Sequence, residues 1–593
     1  MSPVEATNNI NYRFVERKVI LRIRNRVCES AEELVHSALF EIMVIKSIEY
    51  LKERRSILLT MFGKEPDAKI STQTLIQTLQ YLIKLNLEET CKILPQAECF
   101  LGNEEQLFNY TEFLYNYWRS FDRIVICDSV GDRLDKRPYR TFNYRVESLG
   151  DLIRKVYRDI QENLMKHPNI YRQIHAGANM GTIALPKKLN LPETYPKILE
   201  KIGIIRQILI NPPLVLETPM NKRKGQFERV DENPLQKMSI YPDEWLCFPV
   251  KVGSLVILTY IHETFYSLGL SMANLFQIAT DEELEKKPDG LYFYGVEEEL
   301  YSEDCGCKTC FFDDEDEGIL IAAIPRSDEF GYFGYLKKMI LTLHNIIKMK
   351  NGNLPFHGSF TKIYLREGES ASILLVGDTG AGKSETLEAF QNQGTDLISN
   401  ITIIADDMGS LKHGESGQVL GYGTEVGAFL RLDDLSPAST FGTIDRAIFM
   451  NATKTNARVI IPVAELHDVL RGTPVDMLLY ANNYEAIDEE HPIIERFESP
   501  EDALNVFRQG KAMSKGTTAA KGLQSTYFVN IFGPPAYYQL HEKLAKQYFT
   551  DLFDQGAFIG EIRTQLGIKG MERKGPQIAS EALLKLIQEI KQI

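Results

Sequence analysis

Residues Ile373–Glu388 read ILLVGDTGAGKSETLE. Four apolar residues, Ile373 to Val376, have the pattern of a buried strand, and a glycine-rich turn separates them from a segment of helical composition. Gly377, Gly382, Lys383 and Ser384 stand at the spacing G-x4-G-K-S of a phosphate-binding loop. Glycines let backbone N–H groups close around phosphate oxygens, the lysine adds a point charge, and the serine hydroxyl reaches Mg²⁺. The following helix turns its positive end toward the same anion. The expected ATP cradle is therefore Gly377, Asp378, Thr379, Gly380, Ala381, Gly382, Lys383, Ser384 and Glu385.

Outward from the loop, ISNITIIADDMG places Asp406 and Asp407 at the end of an apolar run, 22 residues beyond Ser384. That separation accommodates one helix and a return strand. An aspartate there completes the Mg²⁺ shell opposite the loop hydroxyl. Farther on, Glu425 and Arg431 sit in GYGTEVGAFLRLDDL, and Arg458 in NARVIIPVAEL just before another strand pattern. Arginine suits carboxylate or phosphate because its planar fork offers paired donors.

The chain has 593 residues, 44% hydrophobic and 25% charged, which implies more than one core and an ordinary globular composition. A net charge of −14 argues against a general nucleic-acid binder, though a local basic pocket for a small anion is compatible with it. The absence of a membrane-length apolar run and of a signal-like start leads to a cytoplasmic expectation, and the eight cysteines fit reduced thiols there.

Residues 1–195 read as a helical N-terminal domain, a candidate contact for a partner or a second copy. Ser30 and Glu33 form a capping-box pattern before Leu34, Ala38, Leu39, Ile42 and Ile45, and helical periodicity returns in Thr74–Leu87, Gln106–Phe121 and Leu149–Leu164. A basic stretch, Arg133, Lys136, Arg137, Arg140 and Arg145, continues into Arg154, Lys155 and Arg158; such a run is read as a solvated face. From about 196 an α/β pattern begins, with strands expected at Leu246–Val250, Ser254–Tyr260, Leu291–Tyr294 and Ile319–Ile324. Cys305, Cys307 and Cys310 cluster without a fourth ligand at zinc-finger spacing, and the acidic run Asp313 to Glu317 reads as a solvated loop.

The order of several motifs resembles the phosphoenolpyruvate carboxykinase superfamily, which also contains the HPr kinase/phosphorylases. Tyr332, Gly334 and Lys338 form a Tyr-x-Gly-x-x-x-Lys element, and His357 follows Lys338 by 19 residues. The phosphate loop, Asp406–Asp407, Glu425 with Arg431, and Asn456-x-Arg458 then come in the family's order. The resemblance covers roughly residues 200 to 593 and implies an α/β, two-lobed, P-loop carboxykinase-like body behind the helical domain. Its N-terminal lobe would be 196–345 and its nucleotide- and metal-binding lobe 346–593. It implies Mn²⁺ held by Lys338, His357 and Asp407, and Mg²⁺ at Ser384. Tyr332 and Arg458 would contact a carboxylate substrate, while Arg431 and Lys383 neutralise the γ-phosphate. Two departures stand out. Arginine replaces the family's lysine at 431, and GDTGAGKSE is closer to the HPr kinase form of the loop. Arg223 is the candidate for the family's N-terminal substrate arginine.

Three functions follow in order of expectation. The first is conversion of oxaloacetate and ATP to phosphoenolpyruvate, ADP and CO₂, with Lys338, His357, Lys383, Asp406, Asp407, Arg431 and Arg458 as catalytic residues. A kinase acting on a hydroxyl, with Asp406 or Asp407 as base, is the second. The third is a nucleotide sensor or scaffold without turnover.

Overall fold

The computed structural model describes the chain except residues 1–9, 16–17, 24–27, 63–67, 128–136, 166–169, 173–179, 211, 220–226, 298–308, 367, 379, 384, 387–388, 391–396, 433–443, 453, 455–456, 515–521 and 592–593. The chain divides into compact units at Met1–Gln173 and Ile174–Ile593. Both helices and mixed sheets are present, as an α/β chain requires.

In the first unit, helices Ala31–Val35, Ala38–Glu53, Ala68–Leu82, Leu87–Ile93, Glu104–Arg119 and Arg137–Met165 surround a core that includes Val35, Ile48, Leu79, Phe100, Leu107 and Ile160. Ser30 caps the first helix by accepting from Glu33 N–H at 3.2 Å. The expected single helix breaks after Val35 because Ser37 starts a second one, accepting from Phe40 N–H at 3.2 Å. A small sheet unforeseen in the helical reading joins Ile10–Val15, Lys18–Ile23 and Asp122–Cys127. On the basic helix, Arg154 pairs with Asp151 and Lys155 with Asp159, so these charges are locally balanced. The side chains of residues 133–145 lie outside the described set.

The second unit holds a ten-stranded sheet, a nine-stranded sheet and a four-stranded sheet. All four strands expected between 246 and 324 are present in the ten-stranded sheet, as Trp245–Val252, Leu255–His262, Gly290–Val296 and Ile319–Pro325. The nine-stranded sheet contains Leu354–Leu365, Ser370–Val376, Met477–Asn482 and Phe558–Arg563, the last three mutually parallel. Helix Phe333–Lys350 packs against strands of both large sheets and is buried on nearly every face. A helix covered all round must bury whatever polar side chains it carries. The acidic run departs from its solvated reading at its first residue: Glu315 and Asp316 are exposed in a turn, whereas Asp313 is buried in strand Cys310–Asp314, bonded by Lys350 Nζ at 2.6 Å and Tyr537 OH at 2.5 Å. Two donors, one a cation, make that burial affordable. Among the described residues, no helix is long and apolar enough to cross a membrane.

Candidate active site

Strand Ser370–Val376 lies between an antiparallel and a parallel neighbour and ends at Gly377, whose N–H donates to the His357 carbonyl at 3.2 Å. The loop then tightens. Asp378 accepts from Ala381 N–H at 2.9 Å, and Gly382 has φ +94° with Thr564 only 2.7 Å from where a Cβ would stand. Glycine alone meets both conditions. Two side chains that sequence reasoning missed brace the loop from the ends of the parallel strands: Asn483 donates to Gly380 O at 2.9 Å and Thr564 to Ala381 O at 2.7 Å. Their signal was absent because neither belongs to the motif. Lys383 is buried and donates to the Gly377 carbonyl. Burial pushes its ammonium below the usual lysine range, against the pull of Asp407, Asp378, Asp406 and Glu385. Thr379 and Ser384 lie outside the described residues.

Beside the loop, Leu354–Leu365 pairs with Ile398–Ala405, which brings His357 to Asp407. Gly358 N–H donates to Asp407 O at 2.9 Å, while His357 Nε2 stands 3.1 Å from Asp407 Oδ1. His357 Nδ1 donates to the Val529 carbonyl at 2.6 Å. The lysine that reaches this centre is Lys337, whose Nζ lies 2.8 Å from Asp407 Oδ2 and 3.0 Å from Glu425 Oε1. Burial would lower the Lys337 pKa, yet Asp407 and Glu425 raise it, so an ammonium occupies the gap between two carboxylates. Burial raises Glu425 to about 8 despite Lys337. It likewise raises Asp406 to about 6, with Lys337 opposing and Asp407 adding to the shift. At Asp407 burial is outweighed by Lys337, His357 and Lys383, which hold it well below the carboxylate range.

Lys338, the expected metal ligand, has its Nζ 4.9 Å from the Phe532 ring centroid. The His357 ring is 5.8 Å from that same ring, so Lys338 and His357 meet on one aromatic platform. His357 fits a cation, because a carbonyl can only accept and Nδ1 must therefore carry the proton. Nε2 is then the nitrogen left to face Asp407, and a divalent ion between them would be bound by both. Among the described residues, no three His, Cys, Asp or Glu side chains converge as a metal site. Cys310 is buried in its strand, and Cys305 and Cys307 lie outside the described residues.

The arginines come together in the four-stranded sheet, where Arg431 and Arg458 are direct cross-strand partners. Like charges directly opposite repel, and an anion between them reverses that cost. The Arg458 guanidinium lies 5.7 Å from the Phe429 ring, and the Tyr332 ring packs 6.0 Å from the same ring. Burial raises the Tyr332 hydroxyl, which Arg458 and Lys337 pull back, so this tyrosine is exposed to both groups of cations. Tyr332 N-caps the helix of Lys337, and Gly334 is needed there because a Cβ would stand 2.4 Å from the Tyr332 ring. Arg223 lies outside the described residues.

A scan against models of known protein families finds no match to this chain, and a search of curated proteins also finds none.

Proposed function

We propose that the chain carries out ATP-dependent phosphoryl transfer on a two-lobed, carboxykinase-like body, converting oxaloacetate and ATP to phosphoenolpyruvate, ADP and CO₂. The observation that carries this reading is the placement of His357, Asp407 and Lys337 one strand from the phosphate loop, with Gly377 bonded to the His357 carbonyl. A loop braced by Asn483 and Thr564 holds the β- and γ-phosphates with its N–H groups, and Lys383 places a charge against them. The paired Arg431 and Arg458 hold the substrate carboxylate and the moving phosphoryl group, with Tyr332 orienting Arg458.

In the reaction, the electron pair of the C–CO₂ bond passes into an enolate as CO₂ leaves. The enolate oxygen takes the γ-phosphoryl group, and the bond to the β-phosphate breaks to release ADP. Mn²⁺ held by Lys338, His357 and Asp407, with Mg²⁺ at Ser384, would supply the positive charge that stabilises the enolate and the phosphates. No strong base is required. The kinase reading retains one supporting observation: Asp406, raised to about 6, is suited to accept a hydroxyl proton.

The test is ³¹P NMR of the protein with ATP, Mg²⁺ and Mn²⁺, with and without oxaloacetate. Phosphoenolpyruvate should form only with oxaloacetate. ATP turnover that needs a hydroxyl acceptor instead would replace this reading with the kinase.

A further inference from the structure

Three consecutive residues, Phe528, Val529 and Asn530, have φ of 42°, 50° and 62°. The left-handed region disfavours every residue with a Cβ, and a β-branched valine most. Such backbone persists only where its surroundings over-determine it. Here it is pinned on both sides. Before it, the Tyr527 hydroxyl donates to Glu542 Oε1 at 2.8 Å and lies 2.7 Å from His541 Nδ1. After it, the Phe532 carbonyl accepts from Asn345 Nδ2 at 2.9 Å, on the helix that carries Lys337 and Lys338.

Between these anchors the turn makes one polar contact with the candidate site, the Val529 carbonyl receiving His357 Nδ1–H at 2.6 Å. The Phe532 ring meets both His357 and Lys338. Phe528 and Ile531 line an apolar cavity with His357, Phe356 and Leu374. We propose that Tyr527–Phe532 is a positioning element whose left-handed turn aims the Val529 carbonyl at His357 and holds Nε2 toward Asp407 as a metal-ligating nitrogen. The metal part rests on the proposed function; the ring orientation does not.

The experiment records imidazole ¹⁵N shifts of His-labelled, metal-free protein, assigned by His357→Ala, and Mn²⁺ affinity by electron paramagnetic resonance. In the wild type, Nδ1 should carry a proton, as its bond to the Val529 carbonyl requires. Asn530→Gly, which favours the left-handed backbone, should retain that pattern. Asn530→Val, which disfavours it, should lose the pattern and weaken Mn²⁺ binding about ten- to a hundredfold. If that variant does not fold, Tyr527→Phe removes a single hydroxyl and should weaken Mn²⁺ by about tenfold, the lower end of the same range. A wild-type ring without a proton on Nδ1, or an unchanged pattern and affinity in a folded Asn530→Val or Tyr527→Phe, would overturn the proposal. Equal Mn²⁺ binding by wild type and His357→Ala would overturn the metal role in the proposed function, while the ring shifts would still decide the positioning element.

Discussion

Two buried cations of the second unit face clusters of carboxylates, and they are bonded very differently. Arg563, 2% exposed, spends its fork fully: Nε donates to Glu485 at 2.9 Å, Nη1 to Pro492 O at 2.7 Å, and Nη2 to Glu495 at 2.9 Å, with Glu561 at 2.5 Å. Lys337 stands between Asp407 and Glu425, but neither Glu425 oxygen is in hydrogen-bonding geometry although one is 3.0 Å from the ammonium. The carboxylates around Lys337 are also pushed apart, Glu425 to about 8 and Asp406 to about 6, with Asp407 held low. A saturated cluster serves architecture. An unsaturated one, with proton affinities spread across neutrality, is the kind of arrangement found at functional sites.

The largest expected effect is on the unsaturated side: Lys383→Met should cut ATP turnover about 10²- to 10³-fold with the thermal midpoint nearly unchanged, since it removes charge stabilisation rather than packing. An equal loss from Arg563→Met with unaltered stability would break the contrast. Instead Arg563→Met should cost about 3–5 kcal/mol in urea unfolding, because it strands the largely buried Glu561 and removes the cation that Glu485 and Glu495 share. Lys337→Met should cost less, about 1–3 kcal/mol, because Glu425, raised to about 8, is already protonated at neutral pH and Asp407 keeps His357 beside it.

Buried neutral histidines offer a third case. Burial lowers both His344 and His541 from 6.5 to about 3, so below pH 6.5 the unfolded chain binds protons that the native state refuses. Stability should therefore fall as pH drops from about 6.5 toward 3, by up to about 1.4 kcal/mol per unit for each histidine. His344→Gln should flatten that slope in urea titrations across this range. The smallest effect is expected at Arg508, whose pairs with Glu501 at 2.7 Å and Glu542 at 3.0 Å copy the Arg563 pattern at a site 26% exposed. Arg508→Gln should cost no more than about 1 kcal/mol, since solvent already screens the charges. A larger loss would mean that saturation, not burial, sets the cost.

The contrast also marks how far the sequence can be read. The strand before Gly377, the Asp406–Asp407 pair after a strand, and Arg458 at a strand start were all legible, because each depends on neighbours within a few residues. Asn483, Thr564 and the Val529 carbonyl were not. Each reaches the site from 100 or so residues away or more in the chain. Lys337 and Lys338 illustrate the boundary most plainly: they are adjacent in the sequence and share one helix, and only packing on its faces decided that Lys337 turns to Asp407 and Lys338 to Phe532.

By itself, the sequence determined the expectation of a phosphate cradle, because that chemistry is written in glycines, a lysine and a serine within a few consecutive residues. It also determined the alternation of strands and helices around that cradle. The tertiary structure alone decided which cation neutralises Asp407, which arginines face each other, and which backbone carbonyl orients His357. Those choices depend on strand register and helix rotation, which are settled by burying apolar surface between segments far apart in the chain.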